Sequence, residues 1–343
     1  MTRSFLTMLA IIAGGLVFLL LLPFAARIGT TVYLWRSSHY QKGWESLDYQ
    51  YDVSPSGDAI VFVGEGDGGR DLYIFDISSR QIRRLTHSKG FEHEVRFLDE
   101  HTVVTSVVET PSHPLSPKHL YLLDTRNGSS KQITDGEHIY DGNPLPISPY
   151  QILFARSEID YAMKPWGMEV EGSVPCWYIM DVRTENALPL HAQNFDLNDA
   201  FVNAVFSNGR KLLETSIIGD RNDLFLRYLS GPLESLSVRS ERRMRLTRNG
   251  RDGCISPDEK HVFYLSDDTV EGGSSIMRLN LVSHQATRLL KRGYVLKSLC
   301  VRNQWLFFLE GSGKDVTLWR MDIRGKRLEK LLSPAQFANP LGR

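Results

Sequence analysis

Two kinds of apolar segment alternate with polar ones along this chain. The first occurs once. Phe5 to Ala26 is apolar throughout except at Thr7. The second is short and recurs, and residues 53–86 show its form: VSPSGDAIVFVGEGDGGRDLYIFDISSRQIRRLT. Ser54-Pro55-Ser56-Gly57 is turn chemistry, because Pro presets φ and Gly accepts positive φ. Ala59 to Val63 is a short apolar run with β-branched residues. Gly64 to Gly69 reads as a loop, Leu72 to Ile77 alternates around Tyr73 and Phe75, and Gln81 to Thr86 is an amphipathic strand. With Leu47–Val53 in front, the pattern predicts four strands joined by turns.

This order recurs five more times. The second copy contains VRFLDEHTVVTSVV and KHLYLLDTRNGSSKQIT, ending at Thr134. The third has ISPYQILFARS at 147–157 and CWYIMDVRTENALPL at 176–190; the fourth has FSNGRKLLETSII at 206–218, DLFLRYL at 223–229 and MRLT at 244–247. The fifth runs ISPDEKHVFYLSDD and then SIMRLNLVSHQATRLL; the sixth runs VRNQWLFFLEG and then TLWRMDIRGKRLEKLL. No stretch between them keeps a helical period. Repetition of a four-stranded unit that cannot bury both its faces alone points to radial stacking. The expected fold is all-β, a six-bladed β-propeller preceded by one N-terminal transmembrane helix. Residues 1–27 are the expected anchor, 28–44 a linker, 45–333 the propeller and 334–343 a tail. Phe62, Tyr73, Phe154, Trp177, Phe225, Phe263, Phe307 and Trp319 are expected to pack between blades. All six copies keep one strand order, so the ring is expected to close by packing the first blade on the sixth, or with help from Thr31–Ser37 on an edge.

The recurring phrase Ser-Pro-(Asp/Ser)-Gly, then I-x-F-x-S, Leu-Tyr-x-x-Asp, Gly and Leu-Thr, resembles the repeat of TolB and of the propeller domains attached to prolyl oligopeptidases. The resemblance covers nearly everything after Gly43 and is best in the first and fifth copies. It implies a fold, and one shared by many activities. It also implies, by likeness to TolB-type envelope proteins, a protein partner and a location outside the cytoplasm.

At about 1.5 Å per residue the run Phe5–Ala26 reaches about 33 Å, enough to cross a hydrocarbon core of about 30 Å. A cleaved signal is the rival reading, but a cut after Ala26 would put bulky Phe24 where a small residue is wanted. Arg3 lies on one side of the run and Arg27 and Arg36 on the other, so charge does not set its orientation. The chain carries 40 basic and 40 acidic side chains, which argues against nucleic acid as the main partner. Cys176, Cys254 and Cys300 are too few and too scattered for a disulfide framework.

No G-x-S-x-G elbow is present and eleven residues follow Leu332, so the propeller is expected without an attached hydrolase domain. His87, His93, His113, His119 and His138 cluster in the first half, and His93-Glu94 with His138 and Asp141 could meet at one channel mouth. The spacing is not that of a metal site, and neither metal nor cofactor is expected. Counting four residues back from each turn gives Gln50, Glu94, Pro144, Asn203, Asp252 and Ser298 as residues lining a narrow, polar, slightly acidic channel.

Two segments exceed the short hairpins of the other copies. Ile159–Val174 is read as a loop that binds a partner through Tyr161, Met163, Trp166 and Met168; the rival reading is a cap on the third blade. Ser230–Arg243 is read as a basic loop ending in Arg239, Arg242 and Arg243. The expected function is a membrane-anchored, non-catalytic interaction platform of the cell envelope. A channel-mouth lyase or hydrolase acting on carbohydrate is the first alternative, and a small-molecule sensor the second.

Overall fold

An apolar run with no polar alternation, such as Ala59–Val63 or Trp305–Leu309, needs apolar cover on both faces. The computed structural model supplies it. It describes residues 50–66, 69–87, 90–110, 116–164, 167–172, 175–190, 200–219, 221–233, 239–267, 273–293, 296–311 and 316–333. The expected anchor, linker and tail, and Thr31–Ser37, lie outside those residues.

Six antiparallel units follow one another. Blade 1 is β1 (Tyr51–Val53), β2 (Ala59–Gly66), β3 (Gly69–Asp76) and β4 (Ile82–Arg84). Blade 2 is β5 (Phe91–Phe97), β6 (Thr102–Val108), β7 (Lys118–Asp124) and β8 (Ser130–Gln132). Blade 3 is β9 (Ile139–Ser148), β10 (Gln151–Lys164), β12 (Cys176–Asp181) and β13 (Asn186–Pro189), with an extra strand, β11 (Gly167–Gly172). Blade 4 is β14 (Ala200–Val205), β15 (Lys211–Ile218), β16 (Arg221–Leu229) and β17 (Ser240–Thr247). Blade 5 is β18 (Gly250–Ile255), β19 (His261–Asp267), β20 (Ser274–Asn280) and β21 (Ala286–Arg292). Blade 6 is β22 (Leu296–Arg302), β23 (Trp305–Glu310), β24 (Thr317–Asp322) and β25 (Leu328–Leu332). The first strands touch in cyclic order, β1, β5, β9, β14, β18, β22 and back to β1, so the ring is closed.

The second strands explain the apolar runs. On β2, Ile60 and Phe62 face blade 6, whereas Val61 and Val63 face blade 2. On β23, Leu306 and Phe308 pack toward blade 5, and Phe307 and Leu309 toward blade 1. Successive strand residues point to opposite faces, so each second strand feeds two seams. Six apolar clusters result, one per seam. Each fully buried Leu, Val or Phe contributes about 1.5–3 kcal/mol of transfer free energy. Seven of the eight aromatic residues expected between blades are buried; Trp319 is half-buried against the blade 5–6 cluster.

Blade 1 and blade 6 each take all their described strands from one stretch of chain. Side chains stitch the seam between them. Asp52, 4% exposed on β1, accepts from Arg302 Nη2 at 3.1 and 3.2 Å, from Cys300 Sγ at 3.3 Å and, on its other side, from Phe97 N of blade 2 at 2.9 Å. Arg302 Nε donates to Val53 O, Tyr51 Oη to Ser298 O, and Arg80 Nη1 to Leu331 O.

Three expectations for loops change. Gly64–Gly69 is mostly strand, because β2 and β3 stay paired to Gly66↔Gly69 and leave only Asp67-Gly68 between them, a favoured two-residue turn sequence. Within Ile159–Val174, the described residues 159–164 and 167–172 are strand and not loop. Beyond β12, β10 pairs with β11 from Ile159↔Gly172 to Lys164↔Gly167, a hairpin that prolongs the blade. Tyr161 pairs with Val170 and Met163 with Met168, while Trp166 lies outside the described residues. Of the basic loop, Arg242 and Arg243 belong to β17, since the outer strand pairs from Leu229↔Ser240 onward; only Arg239 precedes it.

Candidate functional site

Antiparallel order gives the ring two ends. Turns between first and second strands and between third and fourth lie at one end. Hairpins between second and third strands, and the blade-to-blade linkers, lie at the other, here called the hairpin end. The β10–β11 hairpin rises there.

Five first strands share a local irregularity near that end. Pairing with the second strand skips residues between Glu92 and Val95, Gly142 and Leu145, Val202 and Ala204, Arg251 and Cys254, and Lys297 and Cys300. These are β-bulges, which bend a strand and re-aim side chains. The sequence-derived residues Glu94, Pro144, Asn203, Asp252 and Ser298 all fall in them. Asn143, Asp252 and Ser298 take positive φ of 51, 50 and 48°. Gln50 precedes β1, where its carbonyl accepts from Val63 N at 3.0 Å. No described hydrogen bond or ion pair joins any two of Gln50, Glu94, Asn203, Asp252 and Ser298. They occupy separate blades.

Glu94 has the fullest surroundings. Lys118 Nζ of β7 lies 2.9 and 2.7 Å from its two carboxylate oxygens, and Ser106 Oγ donates to it. The Lys118 ammonium is almost wholly buried and stands 4.8 Å over the Tyr140 ring. Gly142 gives it room, since a Cβ there would come 2.9 Å from Nζ. Lys118 and the Ser106 hydroxyl hold the Glu94 carboxyl below its usual range although burial opposes them. Burial, reinforced by Lys118, pushes the neighbouring His93 down to about 4, so its imidazole is neutral at pH 7.

Asp141, fully buried, is clasped by Arg156 at 2.7 and 2.8 Å. Arg251 bridges Asp252 at 2.7 Å and Asp267 at 2.9 Å. Thr215 Oγ1 donates to Asn203 at 2.7 Å. His119 is buried with Nδ1 2.8 Å from Glu109 and Nε2 2.9 Å from Gly136 O. His87 and His138 are exposed, and His113 lies outside the described residues.

The neighbours of His93, Glu94 and Asp141 thus include cations already in place. Among the described residues no three His, Cys, Asp or Glu side chains converge as a metal site would require.

The basic segment is also partly committed. Arg243 stacks 4.0 Å over Phe225 and reaches Glu214 at 3.2 Å; Glu214 is fully buried and also bound by Arg227. Arg242 lies 5.9 Å from the Tyr228 ring, and Arg239 is exposed.

Sequence reasoning missed a different feature. At the hairpin end of blades 3 and 4, Phe201 is 57% exposed, Ile217 55%, Ile218 40% and Tyr140 37%. The available signal was Ile217-Ile218, where apolar residues run to the strand end just before Gly219. At the opposite end a cleft of about 260 Å³ lies between blades 3 and 4, lined by Ile179, Leu188, Leu190 and Leu233. Its one carboxylate, Asp181, is held down to about 2 by hydrogen bonds from Arg183.

No family model matches the sequence, and no curated protein matches it. Solved structures do match in fold. TolB from Acinetobacter baumannii aligns with 82% of this chain at 16% identity and TM-score 0.58. The chain spans 64% of that protein's length. A putative TolB from Agrobacterium tumefaciens aligns with 76% of this chain and 87% of its own, at 16% identity and TM-score 0.54. An oligogalacturonate lyase solved with manganese covers 82% of this chain and 77% of its own, at 11% identity and TM-score 0.52.

Proposed function

We propose that this chain, whose fold is that of a TolB-like β-propeller, works as a non-catalytic platform that binds a protein partner, anchored in a membrane through Phe5–Ala26 with the propeller outside the cytoplasm. The observation that carries the binding role is the apolar group Tyr140, Phe201, Ile217 and Ile218, exposed at the hairpin end of blades 3 and 4. Solvent-exposed apolar groups gathered at one place mark interaction surfaces. The β10–β11 hairpin rises from the same end, and its sequence adds Tyr161, Met163, Trp166 and Met168, residue types enriched where proteins meet.

The lyase reading is weaker on chemistry. A catalytic carboxylate or histidine is expected beside a cleft that admits substrate. Here the bulge-region carboxylates Glu94 and Asp141 are held by Lys118 and Arg156, and the cleft between blades 3 and 4 lies at the other end.

The test is affinity purification of the full-length chain from detergent-solubilised membranes, beside a variant carrying Tyr161→Ala, Trp166→Ala and Ile217→Ser. A binding role predicts an unchanged melting temperature and a weaker complex, by about 2 kcal/mol or more at a true hot spot. A lowered melting temperature with the partner retained would make these residues a structural cap. Intact mass of the same preparation reads the anchor, and a mature terminus near Arg27 would remove it.

A further inference from the structure

Pairing in the β10–β11 hairpin sorts its residues by face. Successive strand residues alternate, and directly paired residues share a face. Ile159, Tyr161 and Met163 of β10 therefore stand with Met168, Val170 and Gly172 of β11. Asp160, Ala162 and Lys164 stand with Gly167, Glu169 and Glu171. The first set is apolar, and the second holds more acidic than basic residues. The apolar set continues the alternation of Leu153 and Ala155, which pack in the cluster shared with blade 4, whereas Ile152 and Phe154 pack toward blade 2. Blade 4 is also where Phe201, Ile217 and Ile218 remain exposed at the hairpin end.

The strand edges differ as well. An outermost strand offers unpaired N–H and C=O groups to any further strand, and Lys, Arg or Pro along it discourages such pairing. The outer strand of every blade carries one of these: Arg83 on β4, Lys131 on β8, Pro189 on β13, Arg243 on β17, Arg288 on β21 and Lys330 on β25. The strand β11, Gly167–Gly172, carries none, and among the described strands it pairs with β10 alone.

We propose that β11 is a docking edge, to which a protein partner adds an extended segment of alternating apolar and basic residues as a further strand. The inference rests on the platform reading above and gives its partner a chemistry. Main-chain hydrogen bonds to the open edge supply affinity, and alternate side chains supply selectivity. The partner's apolar residues extend the face of Met168 and Val170, on the side of blade 4. Its basic residues come beside Glu169 and Glu171, where opposite charges across a strand pair are favourable. The same glutamates disfavour a second copy of β11. Any well-overlapped antiparallel register that keeps the apolar faces together sets glutamate opposite glutamate.

The probe is a fluorescein-labelled peptide, Lys-Val-Lys-Val-Lys-Val-Lys, titrated with the full-length chain in non-ionic detergent and read by anisotropy. One comparison peptide replaces every Lys with Glu. Another replaces the central Val with Pro, which cannot continue a strand ladder. Wild type is expected to bind the Lys-Val peptide about tenfold or more tighter than either. A variant carrying Glu169→Lys and Glu171→Lys is expected to prefer the Glu-containing peptide, with its melting transition unchanged. A chain with residues 158–174 replaced by Asn-Gly is expected to bind none of the three. The proposal is overturned if wild type ignores the Lys-Val peptide, if the Pro-containing peptide binds as well, if the charge variant keeps the wild-type preference, or if binding outlasts removal of the hairpin. Light scattering of the same samples reads a second copy: a dimer that disappears with the hairpin would mean that the chain fills its own edge, and would also overturn it. A chain that recovers a partner from membranes yet ignores the peptide would sink strand addition and leave the platform reading standing.

Discussion

At the residue scale, the cluster at the first bulge joins sequence to a pH response. His93 neighbours Glu94 in sequence, but its environment is set by Lys118, which arrives from two strands away and brings an ammonium into a buried place. Burial and that ammonium favour the neutral imidazole, and its folded pKa of about 4 lies below an unfolded value of about 6.5. A group whose folded pKa is depressed contributes stability above the unfolded pKa and loses it as pH falls through the folded one. Stability is therefore expected to drop between about pH 6.5 and 4. The expected behaviour of His93→Gln is a flatter profile across that window, read from urea midpoints at half-unit steps. A profile as steep as wild type would mean another group titrates there. Glu94, held below its usual range, loses its contribution at lower pH as it protonates, and remains in the variant.

At the element scale, the third blade shows how far strand pairing can carry an insertion. A pair of strands lengthens while each residue finds a cross-strand partner, so residues that looked like a long loop instead become an extension of β10 with β11. The blade proper is closed below it by Gln151–Arg156 pairing with β12. Replacing residues 158–174 with Asn-Gly, a favoured two-residue hairpin turn, should leave that ladder in place. The expected result is a melting temperature within a few degrees of wild type, by circular dichroism. A drop of more than about 10 °C, well beyond the 2–4 °C that 1 kcal/mol produces in a domain of 150–250 residues, would show that the hairpin supports the blade.

At the scale of the whole molecule, closure of the ring concentrates on one side chain. Asp52 links blade 1 to both neighbours, and Arg302 and Phe97 N depend on it. Asp52→Ala would leave a partly buried guanidinium without its carboxylate and the Phe97 amide without its acceptor. Removing one member of a buried pair typically costs about 3–5 kcal/mol; with Arg302 31% exposed, the lower end is expected, as a fall in denaturant midpoint. Arg80→Ala, whose pair with Glu329 is exposed, should cost about 1 kcal/mol or less and serves as the control at the same seam. Equal losses in the two variants would show that Asp52 has no special part in closure.

The sequence by itself determined the repeat and hence the ring. Turn residues and short apolar runs reappear at each copy, and a run such as Ile60–Val63 can be satisfied only by cover on both faces. Counting back from the turns singled out Glu94, Asn203, Asp252 and Ser298 as channel-lining residues; that each falls in a bulge of its first strand came from the structure. Only the tertiary structure decided what those residues meet. Lys118 lies 24 residues from Glu94, Arg302 lies 250 from Asp52, and Arg156 reaches Asp141 across a strand pair. Local pattern records which face a strand residue takes, whereas an ion pair depends on which side chains the folded strands bring within about 3 Å. The same reason hid Phe201 and Ile217. Apolar residues in strand patterns predict burial, but Phe201 near the start of β14 and Ile217 near the end of β15 stand exposed at the hairpin end.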